Sequence, residues 1–236
     1  MTEPDLRRRE PQGPRRLPGA RAVRPRQAAT LIIVRQDGPT PTVLLGRRNS
    51  GHNFMPNAWV FPGGRVDRAD FHAPHAAELR PAAAQVFEPH MPASRARALG
   101  LAAIRETFEE AGLLLAKPAP TRPSAGPWRE FLAHGALPDL SALDVIGRAI
   151  TPPMIAKRFD TWFLTADAGR LLSLDRQPDC GELEEIAWME FDAAFELNLP
   201  DITRVMLKVA RERMTQPDHP RPFFRRLNGA FQTTHL

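Results

Sequence analysis

Apolar residues form short runs, or alternate with polar residues, in several stretches of the chain, and this pattern is typical of β-strands. Turn-forming pairs, Asp-Gly and Gly-Pro within 37–39, separate the first two runs. The pattern predicts strands over 29–35, 42–48, 58–67, 148–153, 158–167 and 184–191. The third of these runs directly into a pair of glycines.

A helical period is clearest over 94–111. Leu101, Ile104 and Phe108 recur on one side of this segment, and Gly112 stands where a helix commonly ends. A short helix over 128–135 and a closing amphipathic helix over 199–214 are also predicted. Strands with helices before and after them indicate an α/β fold, a sandwich with a mixed β-sheet.

Composition divides the chain into a leader, a domain and a tail. Residues 1–27 are rich in proline and carry eight arginines against three acids, which predicts a disordered basic leader. Residues 28–215 form a single predicted domain, and 216–236 are expected to be a C-terminal tail. Within the domain, about 71–93 is rich in Ala, Pro and His without a clear period, as in an insertion.

The 236 residues, 42% of them hydrophobic, are enough for one well-packed domain. No apolar run approaches the length of a membrane span. The single cysteine, Cys180, excludes an internal disulfide and fits a reducing, cytoplasmic compartment. Because the whole formal charge of +5 resides in the leader, the chain is not expected to bind a specific nucleic acid.

Three glutamates crowd one turn of the predicted helix. Glu106 and Glu110 lie four positions apart with Glu109 beside them, and like charges at this spacing are mildly destabilising. A solvated acidic face would tolerate them. A hard divalent cation would require them, because it binds several carboxylate oxygens that converge on one point.

The sequence FPGG, at 61–64, follows a predicted strand. Paired glycines let the backbone approach a ligand closely, although a plain turn would use them too. GGRVDRAD (63–70) followed by RETFEEAGL (105–113) resembles the Nudix box, G-x5-E-x7-R-E-U-x-E-E-x-G-U. Arg105, Gly112 and the three glutamates carry most of the match.

The sequence departs from that box in its spacing and at two positions. Gly64 and Arg105 are 41 positions apart, where the plain box has 14, so about 27 residues are inserted. Asp70 occupies the position of the first box glutamate, and Thr107 stands where a bulky apolar residue is usual. The interrupted box is similar to the branch of the Nudix hydrolases that contains the peroxisomal coenzyme A diphosphatase. The insertion is expected to border the substrate cleft as a lid or wall.

The resemblance implies a Nudix-type α/β/α sandwich. It implies hydrolysis of a nucleoside diphosphate-linked substrate at its pyrophosphate bond, with Mg²⁺ or Mn²⁺ as cofactor. The expected substrate is coenzyme A or acyl-coenzyme A, which would give 3′,5′-ADP and (acyl-)phosphopantetheine. ADP-ribose, NADH and dinucleoside polyphosphates are alternatives, as is a non-catalytic Nudix-like binding module, and a homodimer is a candidate assembly.

The resemblance also implies roles for individual residues. Arg105 would hold the glutamates, and Glu106 is the first choice of general base, with Glu185 the second. The metal ligands would be Glu106, Glu109, Glu110, the Gly63 carbonyl and Glu182. Arg47 and Arg48 would lie close to FPGG, either to bind substrate phosphates or as a solvated strand end. Phe54, to stack on adenine, and Gly64 are the other expected substrate contacts.

Overall fold

The computed structural model describes residues 6, 10, 12–17, 19, 21, 23–49, 51, 55–121, 123–176, 183–227 and 230–236. Its strands are β1 (Arg26–Arg35), β2 (Thr42–Arg48), β3 (Trp59–Val60), β4 (Gly63–Arg65), β5 (Ala116–Pro118), β6 (Ala136–Pro138), β7 (Asp144–Ile150), β8 (Phe159–Asp167), β9 (Leu183–Glu190), β10 (Pro222–Leu227) and β11 (Ala230–His235). Its α-helices are α1 (Pro81–Phe87), α2 (Ala93–Ala111), α3 (Arg129–Ala133), α4 (Phe191–Glu196) and α5 (Asp201–Thr215).

Nine strands form one mixed sheet, in the order β11-β10-β7-β8-β1-β2-β3, with β4 paired to β1 and β9 paired to β2. Strand β1 lies at its centre, parallel to β8 and antiparallel to β2. Its run of Leu31, Ile32 and Ile33 is fully buried on both faces, as the continuous apolar sequence predicts. The predicted mixed sheet is confirmed.

Helices cover both faces of the sheet. On one face, Ile104 and Phe108 of α2 pack with Leu31. On the other, Met206 and Leu207 of α5 pack with Ile32 and its neighbours. The molecule therefore has the expected three layers, helix, sheet and helix. Within the described part of the chain, no helix is long and apolar enough to cross a membrane.

Helix α2 ends as its sequence predicts. Gly112 adopts the left-handed conformation at φ 68°, which costs a residue without a side chain little. Its N–H donates to the carbonyl of Phe108 at 2.8 Å. This cap ends the helix at the buried residue Ala111.

The ends of the chain differ from expectation. Residues 216–236, expected to be a tail, contain β10 and β11, and β10 pairs with β7 because it buries Phe223 against the sheet. In the leader, the N–H of Arg16 donates to the carbonyl of Met154 at 2.8 Å, and β1 begins at Arg26. The expected disorder of the leader therefore does not extend to these described residues.

Smaller elements were also missed from the sequence. The predicted strand over 58–67 is split into β3 and β4 by Phe61 and Pro62. Strands β5 and β6 pair with each other as a separate two-stranded sheet at the two ends of the predicted loop and short helix, where the sequence predicted no strand. Helix α4 follows β9 without an intervening loop.

Candidate active site

The three glutamates of α2 line one large cavity. Glu106, Glu109 and Glu110 share this cavity, of about 1110 Å³, with Gly63 and Gly64 of β4. The helical turn therefore brings the carboxylates and the glycine pair together, although an insertion separates them in sequence. This convergence is the arrangement that the two sequence fragments predicted.

Close packing explains why glycine occupies both positions. A side chain on Gly64 would overlap the carboxylate of Glu106, and one on Gly63 would lie 2.5 Å from the carbonyl oxygen of Ala29. The N–H of Gly63 donates to Glu110 Oε2 at 2.8 Å. Strand β4 thus lies directly against α2 and helps to orient one of the carboxylates.

Arg105 lies at the centre of a cluster of acidic side chains. Its side chain is only 5% exposed, and its Nη1 donates to Glu106 Oε1 at 2.9 Å and to Glu109 Oε2 at 2.8 Å. Its Nη2 donates to the carbonyl of Arg65 at 3.0 Å, which joins α2 to β4. Because the guanidinium is buried and donates to two of the glutamates, Arg105 holds their side chains from within the protein.

Asp70 holds Arg105 from the opposite side. The carboxylate is fully buried and accepts from Arg105 Nε at 2.9 Å and from Arg105 Nη2 at 3.1 Å. It also accepts from the Trp128 indole N–H at 3.0 Å and from the Asp67 N–H at 2.7 Å. Asp70 is therefore the buried acidic partner of Arg105 and links it to the segment that follows β4.

Charge and burial oppose each other at these side chains. Burial acts to lower the pKa of Arg105, but the hydrogen bonds and charges of Asp70 and the two nearest glutamates outweigh it and raise the pKa. Burial also raises the pKa of the Glu109 carboxyl, and the charge of Glu106 adds to this effect while Arg105 opposes it. A carboxylate whose pKa is raised in this way gains from a nearby cation.

The donor set fits a hard divalent cation in its chemistry. Among the described residues, no three His, Cys, Asp or Glu side chains are arranged to hold a metal ion as they stand. In the described structure, Arg105 donates to Glu106 and Glu109, and the Gly63 N–H donates to Glu110. Nevertheless, the cavity wall offers carboxylate oxygens and, in its described lining, neither His nor Cys, which suits Mg²⁺ or Mn²⁺ and not zinc.

Two expected site residues lie elsewhere. Arg47 and Glu185 are register partners on β2 and β9, and Arg47 Nε donates to Glu185 Oε2 at 3.1 Å. Neither side chain lines the cavity that the glutamates line. The placement therefore does not support Arg47 as a phosphate contact or Glu185 as the general base.

Other expected residues have mixed outcomes. Arg48 lines the cavity, as does Gly64. Phe54 and Glu182 lie outside the described residues. Thr107, in the usual place of an apolar residue, is fully buried and donates to the carbonyl of Ala103 at 2.8 Å, which satisfies its hydroxyl.

The insertion does not border this cavity. None of residues 71–93, all of which the structure describes, is part of the cavity wall. Instead Phe87 is buried with its ring centre 4.6 Å from that of Trp162, and Met91 joins the same core. The placement therefore does not support the expected lid or wall, because apolar residues of the insertion pack into the core.

Several groups at the site were missed from the sequence. Trp128 reaches Asp70 from 58 positions away. Phe224 and Phe231, from the segment expected to be a tail, line the cavity together with Phe61 and Phe163. Of these groups, only Asp70, the partner of Trp128, had a signal in the sequence, which was its spacing from the glycines.

Comparisons with known proteins find curated relatives and a similar solved structure. No family model matches the chain. An acyl-coenzyme A diphosphatase, NUDT19 of Gallus gallus, is 31% identical over 204 residues, an alignment that covers 58% of this chain and 54% of that protein. The putative nudix hydrolase 7 of Caenorhabditis elegans is 28% identical over 176 residues, covering 70% of this chain and 51% of that protein. The chain thus spans about half the length of these curated relatives.

A solved structure is similar over almost its full length. The crystal structure of a NUDIX hydrolase from Alicyclobacillus acidocaldarius superposes with a TM-score of 0.59 at 27% sequence identity. The match covers 82% of this chain and 96% of that one. The similarity therefore extends over most of the mixed sheet and helices rather than over the acidic helix alone.

Proposed function

We propose that this chain, which belongs to the Nudix hydrolase superfamily, hydrolyses the pyrophosphate bond of a nucleoside diphosphate-linked substrate with Mg²⁺ or Mn²⁺. One observation carries the proposal. Glu106, Glu109 and Glu110 lie on one turn of α2 and line the same cavity as Gly63 and Gly64. A pure binding module would not need three carboxylates at a site for an anionic ligand, because on their own they would repel it.

The bound divalent ions would reverse the local charge, polarise a phosphoryl oxygen and lower the pKa of the attacking water. The residues of the chain supply the rest. Arg105 and the Gly63 N–H fix the glutamate side chains, and Arg48 and Arg65 bring positive charge to the cavity wall. Glu106 accepts the proton of water as an oxygen–phosphorus bond forms, and the bridging oxygen leaves with one phosphate.

For the substrate, we propose coenzyme A or acyl-coenzyme A, with 3′,5′-ADP and (acyl-)phosphopantetheine as products. The curated relative named as an acyl-coenzyme A diphosphatase supports this choice. The cavity also fits, because Phe61, Phe163 and Phe224 give it an apolar wall beside the carboxylates. Such a wall would suit the non-nucleotide part of the substrate.

A metal-dependent hydrolysis screen tests the proposal. Purified protein with Mn²⁺ or Mg²⁺ is incubated with coenzyme A, acyl-coenzyme A esters, NADH, ADP-ribose and diadenosine polyphosphates, and the products are separated by chromatography. We expect 3′,5′-ADP from the coenzyme A substrates. Cleavage of NADH or ADP-ribose with coenzyme A left intact would contradict the proposed coenzyme A specificity. If none of these compounds is cleaved, the proposed hydrolase activity is contradicted.

A variant separates catalysis from binding. Glu109→Gln combined with Glu110→Gln removes two charges but keeps the size of both side chains. We expect it to lose hydrolysis, and to lose the thermal stabilisation that Mn²⁺ gives to the wild-type protein. A binding module would instead retain its affinity for the nucleotide without any dependence on metal.

Compartment and assembly complete the proposal. A single cysteine among 236 residues supports a reducing, cytoplasmic location. We also propose a homodimer, which sedimentation at several protein concentrations would detect. A monomer at every concentration would contradict the assembly and leave the hydrolysis untouched.

A further inference from the structure

We propose that Trp128 is a positioning residue for the metal-binding glutamates, acting through Asp70 and Arg105. The proposal rests on the proposed function, because it assigns the glutamates to a metal. It adds a residue from outside the Nudix box, carried by the segment between β5 and β6. Trp128 would touch neither metal nor substrate.

The first link joins Trp128 to Asp70. The indole is 2% exposed and packs edge-on against Phe131, with ring centres 5.2 Å apart. Its Nε1 donates to Asp70 Oδ1 at 3.0 Å. A tryptophan held by packing on one side and by this bond on the other gives the carboxylate a fixed donor.

The second link joins Asp70 to Arg105. Each oxygen of Asp70 accepts two hydrogen bonds, one from Arg105 and one from another donor, which is Trp128 at Oδ1 and the Asp67 N–H at Oδ2. The two further donors fix the plane of the carboxylate. Because the pairing with Arg105 is bidentate, that plane fixes the plane of the guanidinium.

The third link joins Arg105 to the glutamates. The Nη1 that donates to Glu106 and Glu109 belongs to the same planar group as the atoms that bind Asp70. A rotation of the guanidinium would therefore move the donor shared by both glutamates. In this way the indole N–H influences the separation of two carboxylates that it does not contact.

Trp128→Phe tests the chain of contacts. The substitution removes the N–H and keeps an aromatic ring against Phe131. Partners of metal ligands typically contribute about 10- to 100-fold to metal affinity or activity, so we expect Mn²⁺ affinity to fall at least about 10-fold. The affinity is measured by electron paramagnetic resonance of free Mn²⁺ during titration, a readout that does not depend on catalysis.

Trp162→Phe is the matched control. Trp162 is also fully buried, but its Nε1 has no hydrogen-bond partner among the described residues. The same change in size therefore removes an indole N–H that makes no hydrogen bond within the described part of the chain. We expect Mn²⁺ affinity within about 2-fold of wild type, since the carboxylates keep all their hydrogen bonds. Equal losses in both variants would reduce Trp128 to general packing and overturn the proposal.

Trp128→His provides a rescue and a second route if Trp128→Phe does not fold. The imidazole Nε2 takes the position of the indole Nε1 and restores a donor, while most of the ring contact is lost. We expect it to bind Mn²⁺ more tightly than Trp128→Phe, or to bind measurably where the phenylalanine variant is unfolded. Affinity no better than that of a folded phenylalanine variant, or no binding by folded Trp128→His, overturns the proposal.

A double-mutant cycle tests whether the effect passes through Asp70. In Asp70→Asn protein, Trp128→Phe should weaken Mn²⁺ binding much less than in wild type, because the two positions act in series. Fully additive effects would overturn the route. One outcome is that the wild-type protein binds Mn²⁺ with an affinity that depends on Trp128 and Asp70, yet hydrolyses no diphosphate. That result would refute the proposed function and leave the inference standing. Wild-type protein that binds no Mn²⁺ would refute both.

Discussion

Arg105 and Asp70 form two parallel hydrogen bonds, of 2.9 and 3.1 Å, and neither side chain is more than 5% exposed. This buried ion pair connects α2 to the segment that follows the glycine strand. A buried pair of this kind depends on both partners, because removal of one leaves the other charge without compensation. Substitution of either residue should therefore lower the stability of the fold as well as disturb the candidate site.

Asp70→Ala should be strongly destabilising. Removal of one partner of a buried ion pair costs about 3–5 kcal/mol, and we expect the free energy of unfolding in urea to fall by that order. The control is Glu78→Ala, since the ion pair of Glu78 with Arg97 is short, at 2.7 Å, but partly exposed. Exposed pairs contribute up to about 1 kcal/mol. Similar losses at the two positions would contradict the importance of burial.

Glu106→Gln and Glu185→Gln distinguish the two candidates for the general base. Loss of a general base typically lowers the rate by about 10²- to 10⁴-fold, and we expect such a loss in kcat for Glu106→Gln. Glu185 pairs with Arg47 and does not line the cavity, so Glu185→Gln should retain near wild-type kcat. Steady-state kinetics on the substrate found in the screen measure both. The reverse ranking would move the base to β9.

Acid should weaken the fold through Asp139. Burial acts to raise the pKa of this carboxyl, but hydrogen bonds from Ser141 and Arg170 and the charge of Lys117 outweigh it and lower the pKa below its ordinary value of 3.8. The unfolded chain then takes up the proton first as the pH falls. The carboxylate therefore contributes stability above 3.8, and the contribution is lost as the pH falls through the lowered pKa.

Asp139→Asn should remove that part of the acid sensitivity. We expect the variant to be less stable than wild type at neutral pH, by about 1–3 kcal/mol for a buried acceptor lost from a charged network, and the difference to shrink as the pH falls. Urea unfolding in a series of buffers below pH 5 measures it. Asp192→Asn is the control, because Asp192 is 93% exposed in its pair with Arg211. A difference that is independent of pH would contradict the assignment.

The C-terminal strands should stabilise the domain. Phe223 of β10 is 7% exposed, so Phe223→Ala should lower the free energy of unfolding by about 3–5 kcal/mol. Leu227 of the same strand is 44% exposed, and Leu227→Ala should change it by less than about 0.5 kcal/mol. Thermal and urea denaturation measure both. A tail without contacts would make the two substitutions equally neutral.

The sequence predicted those elements whose determinants are local. Helix α2 was placed within one residue because its apolar period and Gly112 lie in the segment itself. Strand β2 was placed at its observed bounds for a similar reason, since a turn precedes a continuous apolar run. The glutamates and glycines were recognised through a spacing that a known motif shares.

Elements that depend on distant partners were not predicted. The segment PFFRRL became β10 because β7 offers a free edge and Phe223 fits beside it, and neither fact is visible in six residues. The pairing of Arg47 with Glu185 required the register of β2 against β9. The contact of Trp128 with Asp70 similarly depends on how two short 3-10 helices, Arg68–Phe71 and Gly126–Trp128, meet.

The hydrogen bond from Arg105 Nη2 to the Arg65 carbonyl joins α2 directly to β4, whatever the length of the segment between them. The two halves of the motif are joined through space, so the covalent path between β4 and α2 need not be short. Closing a flexible loop costs only about 0.6 kcal/mol more for each doubling of its length. Phe87 and Met91, which the intervening segment buries, offset that cost. The segment between β4 and α2 is thus a place where residues can be added without moving the carboxylates apart.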